Sequence, residues 1–145
     1  MRNSPDEFMV RPIGIVRSPY RITKEAPRQG RLAPEVVSKI EIFELFRKGV
    51  GDLGKARYII VLYWLDQAKR DVLVAVPPGT TGERPVFATR SPNRPNPIGL
   101  CVVEVREVID GCITVAGLDA IDRTPVLDIK PYSPGIDCVP ETGTG

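Results

Sequence analysis

Short apolar stretches alternate along the chain with loops rich in proline and glycine. Residues 13–16 (IGIV) and residues 39–43 (KIEIF) have the length and side-chain alternation of β-strands. Residues 56–65 (ARYIIVLYWL) are apolar on both faces and rich in β-branched and aromatic side chains, which predicts a buried central strand. Residues 71–76 (DVLVAV) predict a second buried strand that ends at two prolines.

The clearest period of two lies between residues 99 and 109. One predicted face carries Cys101, Val103, Val105 and Ile109, and the other carries Glu104 and Arg106. The dipeptide Asp110-Gly111 follows, which is a strong hairpin signal, and residues 113–117 form the returning strand.

Helices are expected to be few and short, because fifteen prolines and thirteen glycines are spread along the chain. The best helical candidate covers residues 44–54 and contains two glycines. No G-x-G-x-x-G motif follows a strand, so a Rossmann-type methyltransferase is excluded. The pattern predicts a mainly β fold, a small antiparallel β-barrel with one or two short helices, in one domain over residues 1–145 with its core at about 12–134.

The composition restricts the chemistry. The chain has no histidine, which excludes Ser-His-Asp and Cys-His mechanisms and removes the commonest metal ligand. Its three cysteines lack CxxC spacing, so we expect no disulfide framework and no metal site, with Cys101 and Cys112 buried. The chain has no apolar signal core and no run long enough to span a bilayer, so we expect a cytoplasmic protein with no membrane contact.

Charge is distributed unevenly, although the net charge is only +2. Residues 17–31 carry five basic side chains against Glu25, and residues 83–94 carry three arginines against Glu83. An arginine beside proline and glycine, such as Arg28, can bind a carboxylate or phosphate with two parallel hydrogen bonds. The sequence leaves open whether these basic side chains are solvated or contact a ligand.

Residues 87–100 (FATRSPNRPNPIGL) form the densest unusual segment. Three prolines fix the backbone repeatedly, which predicts a stiff loop that holds polar side chains such as Arg94 and Asn96 at low entropic cost. A proline-rich connector with solvated arginines is the alternative.

The segment LDAIDRTPVLDIKPY contains the last predicted strand, VLDIK. Alternation places Leu127 and Ile129 in the core and Asp128 and Lys130 together on the opposite face, which Tyr132 continues if the chain stays extended through Pro131. A carboxylate, an ammonium and a phenol in one row predict a polar site. An ordinary surface salt bridge between Asp128 and Lys130 is the alternative.

The strings PRQG, ATRSPNRPNPIGL and DxxDxTPVLDIKPY occur in this order, together with IGIVRSPY and YIIVLYW. Together they resemble the TrmO family of tRNA methyltransferases, also called TsaA-like or VirR-like proteins, over roughly residues 13–134. The resemblance implies a homodimeric β-barrel that binds S-adenosylmethionine near the subunit interface. It also implies methyl transfer to N6 of the adenosine beside the tRNA anticodon, which in relatives already carries a threonylcarbamoyl group.

The same resemblance implies ten cofactor-binding residues: Pro27, Arg28, Gln29, Asp66, Gln67, Arg90, Leu100, Gly117, Leu118 and Asp119. Asp119 is our candidate for the ribose hydroxyls, and Arg28 or Arg90 for the methionine carboxylate. The chain departs from the family at two places. The family's aromatic–His pair is replaced by Leu65-Asp66, and Arg123 stands where the family usually has glycine.

Position and chemistry suggest the acceptor site. Asp128, Lys130 and Tyr132 are the candidate catalytic residues, and Arg94, Asn96 and Asp122 are the candidate substrate-binding residues. Two other functions remain open. One is a non-catalytic module that binds S-adenosylmethionine or RNA, and the other is a methyltransferase with a small-molecule acceptor.

Overall fold

Six antiparallel strands close into a barrel in the computed structural model, which describes residues 6–140. The order around the barrel is β1, β2, β7, β6, β3, β8, and β8 pairs again with β1. In chain order the strands are β1 (Gly14–Arg17), β2 (Val37–Ile42), β3 (Tyr58–Trp64), β4 (Val74–Ala75), β5 (Arg84–Pro85), β6 (Ile98–Ile109), β7 (Cys112–Ala116) and β8 (Pro125–Pro131). The predicted antiparallel β-barrel is confirmed.

The barrel interior forms the hydrophobic core. Its fully buried side chains are Val16, Ile40, Ile59, Val61, Ile113, Val115 and Val126. They occupy the inward positions of five strands, as the period of two requires. Burial of each such side chain adds about 1.5–3 kcal/mol to the free energy of unfolding, compared with leaving it exposed to water. The strands therefore form a rigid wall that supports the loops.

The prediction of a buried strand over residues 71–76 is wrong. Only Val74–Ala75 is extended, and it pairs with Arg84–Pro85 in a two-stranded sheet outside the barrel. Leu73 and Val76 are 63% and 55% exposed. The barrel is already closed by six strands, so it has no free edge to which this apolar segment could add.

The helical elements are shorter than predicted. Residues 44–54 form two 3-10 helices, Glu44–Gly49 and Leu53–Lys55, instead of one α-helix. Gly51 lies between them at φ +44°, a left-handed conformation that ends a right-handed helix. The other helical elements of the described residues are the 3-10 helices Thr23–Glu25, Gly30–Leu32 and Val86–Ala88 and the α-helix α1 (Pro134–Asp137).

A β-bulge changes the alternation of β8. Leu62 of β3 pairs with Asp128, but the next residue, Tyr63, pairs with Val126, so Leu127 is the extra residue. Val126 is therefore fully buried, whereas Leu127 is half-buried and lies outside the core cluster. The prediction that Leu127 faces the core is wrong, and the same prediction for Ile129 is confirmed.

A second bulge lies in β6, between Val105 and Glu107. Before it, the predicted inward residues lie in or against the core: Cys101, Val103 and Val105. Beyond it the alternation shifts by one residue, so Val108 packs against the core and Ile109 is 53% exposed. The prediction that Ile109 shares the inward face is wrong for this reason.

The next predictions concern the hairpin turn and the burial of the cysteines. Asp110 and Gly111 have φ values of +50° and +76°, which two-residue hairpin turns require, so the predicted hairpin is confirmed. Cys101 is buried as predicted, whereas Cys112 is only half-buried.

Between residues 6 and 140, no helix combines the length and the apolar character that a membrane crossing requires.

Candidate functional site

Three long loops leave the barrel at the same end. They follow β1, β3 and β7 and cover residues 18–36, 65–97 and 117–124. Because neighbouring strands are antiparallel, the ends of these three strands and the starts of β2, β6 and β8 lie together. The candidate cofactor residues from all three segments are thereby brought to one end of the barrel.

Two glycines join the first loop to the third. A Cβ atom on Gly30 would lie 1.9 Å from the carbonyl oxygen of Gly117 and 2.7 Å from Sγ of Cys101. Only glycine permits this approach, and Gly117 itself has a φ of +88°. The backbone of Gly30 hydrogen-bonds Asp119, and the segment Pro27–Gln29 directly precedes this glycine in the first loop.

A hydrogen bond joins the barrel wall to the third loop. The Tyr63 hydroxyl donates to Oδ1 of Asp119, and the Tyr63 side chain is only 4% exposed. The ring of Tyr63 lies against Gly99 on the neighbouring strand, where an added Cβ would meet a ring carbon at 2.2 Å. Glycine at position 99 thus makes room for the ring that positions the carboxylate.

Asp119 and its neighbours Tyr63 and Cys101 have shifted pKa values. Burial raises the pKa of Asp119, while the hydrogen bond from Tyr63, the charge of Arg90 and the backbone of Gly30 lower it. Burial and the nearby Asp119 charge raise the pKa of Tyr63, so its hydroxyl stays protonated as a donor. Burial, followed by the Asp119 charge, raises the pKa of Cys101 to about 12, so the thiol is not a nucleophile at neutral pH.

Arg90 and Leu100 lie at the rim of this site. Arg90 is exposed, and its Nη2 donates to the Leu100 carbonyl oxygen at 3.4 Å. The Leu100 side chain points outward from β6 and is 45% exposed. Leu118 differs, because its side chain is 1% exposed and belongs to the core, which leaves only its backbone for a ligand.

The other two cofactor candidates, Asp66 and Gln67, are exposed just beyond the end of β3. Their segment is anchored by the Asp66 amide, which donates to Trp64 O at 3.0 Å, and by the Leu65 amide, which donates to Pro97 O at 2.8 Å. They therefore lie at the same end of the barrel as Asp119. No side-chain hydrogen bond of either residue occurs within residues 6–140.

Two of the candidate substrate-binding residues hold loops in place. Nη1 and Nη2 of Arg94 donate to the carbonyl oxygens of Thr89, Ser91 and Val86 at 3.1, 2.8 and 2.8 Å. Asp122 accepts a hydrogen bond from the Ser18 amide at 3.0 Å, which ties the third loop to the first.

The third candidate of this group, Asn96, is exposed. Its Oδ1 accepts from Arg70, whose Nη2 lies 3.3 Å away. Arg70 also stacks over the Trp64 ring, with 5.1 Å between its Cζ and the ring centroid. Asn96 is thus linked to the end of β3 and remains accessible.

Two of the candidate catalytic residues, Asp128 and Lys130, lie on the outer surface of the barrel, and Tyr132 is half-buried just beyond the end of β8. Nζ of Lys130 and Oδ2 of Asp128 are 3.0 Å apart, and the two side chains are 62% and 47% exposed, so their predicted common face is confirmed. Tyr132 follows, with its amide donating to Tyr58 O at 3.0 Å. Within one chain, the barrel wall separates these groups from Asp119.

A row of paired residues on neighbouring strands connects the rim of the cofactor site with the candidate catalytic residues. Leu100 on β6 pairs with Leu62 on β3, and Leu62 pairs with Asp128 on β8. Two interstrand spacings amount to about 10 Å. The rim of the cofactor site and the Asp128–Lys130 pair are therefore close on the outer surface.

The outer surface of β3 and β6 is apolar. We call it the outer apolar face, and it consists of Tyr58, Ile60, Leu62, Trp64, Ile98, Leu100 and Val102. Ile98 and Leu100 are 47% and 45% exposed, although an outward barrel surface in contact with water normally carries polar residues.

An open cleft of about 440 Å³ lies beside Arg90. It is lined by Pro77, Arg84, Phe87, Ala88, Thr89 and Arg90. Phe87 is 77% exposed. Phe87 is therefore an exposed aromatic ring in a cleft that two arginines also line.

Sequence reasoning missed Tyr63 and Gly30. Tyr63 carried a usable signal, because it continues the inward row Ile59, Val61, Tyr63, and a buried phenol needs a hydrogen-bond partner. Gly30 carried none, since its requirement for glycine arises from contact with Gly117, 87 positions later. Within residues 6–140, no group of three or more Cys, Asp or Glu side chains could hold a metal ion.

Comparison with known proteins places this geometry in a family. The chain matches the tRNA-methyltransferase O N-terminal domain over residues 15–138. An S-adenosyl-L-methionine-binding protein of Archaeoglobus fulgidus is 56% identical over 132 residues, which cover 91% of this chain and 94% of that protein. VirR of Rhizobium radiobacter is 37% identical over 120 residues, which cover 82% of this chain and 67% of VirR.

Solved structures agree. The crystal structure of TrmO from Pseudomonas aeruginosa aligns with a TM-score of 0.81 at 33% identity and covers 99% of this chain. This chain spans 63% of that solved chain. With a family match over most of its length and the same barrel, the chain belongs to the TrmO family.

Proposed function

We propose that this protein is an S-adenosylmethionine-dependent methyltransferase that modifies N6 of the threonylcarbamoyl-bearing adenosine next to the tRNA anticodon. The observation that carries the proposal is the convergence of three distant loops around Asp119 at one end of the barrel. Membership of the TrmO family and the name of the A. fulgidus relative support the cofactor and the tRNA substrate.

The residues present fit the cofactor. A carboxylate has about four acceptor positions, so Asp119 retains capacity for a ribose hydroxyl after accepting from Tyr63 and from the backbone of Gly30 and of Asp119 itself. Arg28 and Arg90 offer guanidinium groups for the methionine carboxylate. Gly30 and Gly117 are both buried and pack against each other, so these glycines bring the first and third loops together around Asp119.

When bound, S-adenosylmethionine supplies a methyl group on a reactive sulfonium. The chain's own task is then to hold donor and acceptor close together and aligned. In our assignment, Asp128 accepts a hydrogen bond from the one N–H that the modified N6 retains, and Tyr132 stacks on the base. Lys130 neutralises the threonylcarbamoyl carboxylate, and exposed Asn96 contacts the base or its phosphate.

The outer apolar face supports the homodimer in this proposal. It surrounds Leu100 and borders Asp128, so a second copy seated there would exclude water from the surface between them. Covering the face would also remove Ile98 and Tyr58 from solvent, which is favourable for apolar surface.

The test is incubation of the purified protein with S-adenosylmethionine labelled in its methyl group and total tRNA, followed by nucleoside analysis. We expect label in an N6-methylated adenosine. Binding of the cofactor without any transfer would favour the non-catalytic module, a possibility raised by Asp66 in place of the family histidine. Label in small metabolites with unlabelled tRNA would favour a small-molecule acceptor.

A further inference from the structure

The 3-10 turn Val86–Ala88 presents Phe87 to solvent from a fixed base. Val86 is 1% exposed, and its amide donates to Leu73 O at 2.9 Å. Its carbonyl oxygen accepts hydrogen bonds from Arg94 and from the Thr89 hydroxyl, each at 2.8 Å. The turn is therefore anchored on both sides, while the Phe87 ring, 77% exposed, takes no part in that anchoring.

The surroundings of the ring are cationic. Arg84 and Arg90 line the cleft with Phe87, and neither forms a salt bridge in the part of the chain that the structure describes. The cleft has a volume of about 440 Å³ and is open to solvent, so it is a surface depression and not an enclosed cavity. Arg90 also belongs to the rim of the cofactor site, so the cleft and that site share one side chain.

We propose that Phe87, flanked by Arg84 and Arg90, is a stacking platform for an unpaired RNA base, and that it guides the substrate strand toward the cofactor site. The inference rests on the proposed function and assigns to it an RNA contact that the cofactor and acceptor residues do not provide. An aromatic face stacks on any base, and guanidinium groups contact the phosphates on either side. Anticodon nucleotides are unpaired and present such faces.

Rigidity favours this use of the ring. A base that stacks on a preformed surface loses less binding free energy to ordering of the protein. Arg94 supplies that rigidity, since its guanidinium bridges three carbonyl oxygens of the turn and the following loop. Arg94 is thus a positioning residue for the platform, and lysine cannot reproduce its three-point contact.

The experiment measures binding of fluorescently labelled tRNA by anisotropy for Phe87→Ala, Phe87→Leu and Phe87→Trp, with Phe8→Ala as a control for loss of an exposed phenylalanine. We expect the Ala and Leu variants to bind RNA about 5- to 150-fold more weakly, as loss of one stacked base predicts. The Trp variant and the Phe8→Ala control should keep wild-type affinity. Calorimetry should show unchanged binding of S-adenosylmethionine in all four.

Three outcomes would overturn the platform. Wild-type RNA affinity in Phe87→Leu would mean that the ring makes only an apolar contact. A change of oligomeric state in Phe87→Ala would assign the ring to a contact between copies of the chain. Weaker cofactor binding with unchanged RNA binding would make it part of the cofactor site. If the wild-type protein binds RNA through Phe87 but transfers no methyl group, the proposed function fails and the platform stands.

Discussion

The Tyr63 hydroxyl and the Asp119 carboxylate form a hydrogen bond across 56 positions of sequence. Tyr63 belongs to the barrel wall and Asp119 to the loop between β7 and β8. Burial raises the pKa of Asp119, and the bond from Tyr63 acts in the opposite direction. The tyrosine therefore helps to keep ionised a carboxylate that the fold has partly removed from water.

Tyr63→Phe should weaken cofactor binding while the fold is retained. Loss of the hydroxyl removes one hydrogen bond to an ionised carboxylate, worth about 1.5–3 kcal/mol, and frees the Asp119 carboxylate to rotate. We expect calorimetry to give a higher Kd for S-adenosylmethionine, by a factor of about 10 up to about 150. Tyr58→Phe, on the same strand but on the outer face, is the control. Equal cofactor affinity in both variants would remove Tyr63 from the site.

Asp119→Asn should stabilise the protein at neutral pH and abolish cofactor binding. Because the folded-state pKa of Asp119 is raised, the folded state holds its proton more tightly than the unfolded state. Wild-type stability therefore falls as pH rises from the ordinary aspartate pKa, about 3.9, through the raised value. Asparagine at position 119 stays uncharged, so the variant does not lose stability in this way as the pH rises.

Urea unfolding at several pH values measures this prediction. The free-energy advantage of Asp119→Asn should be largest near neutral pH and should shrink below about pH 4, where both side chains are uncharged. An asparagine variant that is less stable than wild type at neutral pH would show that the charged form is favoured by the fold. The same protein samples, titrated with S-adenosylmethionine, test the loss of binding.

Gly30→Ala should destabilise the protein and impair cofactor binding together. The new Cβ would overlap the Gly117 carbonyl, so the first loop would have to move away from the third. Overpacking of this kind costs about 1–3 kcal/mol. Gly82→Ala is the matched control, because a Cβ at Gly82 meets no atom within 4 Å. Similar melting temperatures for the two variants would contradict the close approach.

Lys130→Ala and Asp128→Asn should abolish methyl transfer without unfolding the protein. Their ion pair is about half exposed, so its contribution to stability should not exceed about 1 kcal/mol. Lys55→Ala, which breaks the exposed pair with Asp52, is the control and should leave both melting temperature and methylation unchanged. Full methylation by either site variant would exclude that residue from the mechanism.

Leu62→Lys should convert the proposed dimer to monomers. The substitution places a charge in the middle of the outer apolar face, beside Leu100, where a second copy would have to bury it. Analytical ultracentrifugation measures the change. Ile15→Lys, at an outward position of β1, is the control and should sediment like wild type. A wild-type protein that is already monomeric would rule out the dimer.

Local patterns in the sequence predicted most of the barrel. The inward row Cys101, Val103, Val105, the Asp110-Gly111 turn and the apolar strand β3 all follow from side-chain alternation and turn chemistry. These signals need only a few neighbouring residues. The errors at Leu127 and Ile109 have one cause, since each lies at or beyond a bulge that local alternation does not reveal.

In the candidate site, too, local motifs predicted some residues, and only long-range contacts place the others. The motifs brought Arg90, Gly117 and Asp119 into the cofactor set, and the register of β8 brought Asp128 and Lys130 onto one face. By itself, then, the amino-acid sequence determined the strands, the hairpin and the chemical groups available, because these depend on short-range periodicity and residue type. Only the tertiary structure decided that Tyr63 meets Asp119, that Gly30 meets Gly117 and that Arg94 braces the turn beneath Phe87. Each of these contacts joins separate segments, and barrel closure is what brings those segments within bonding distance.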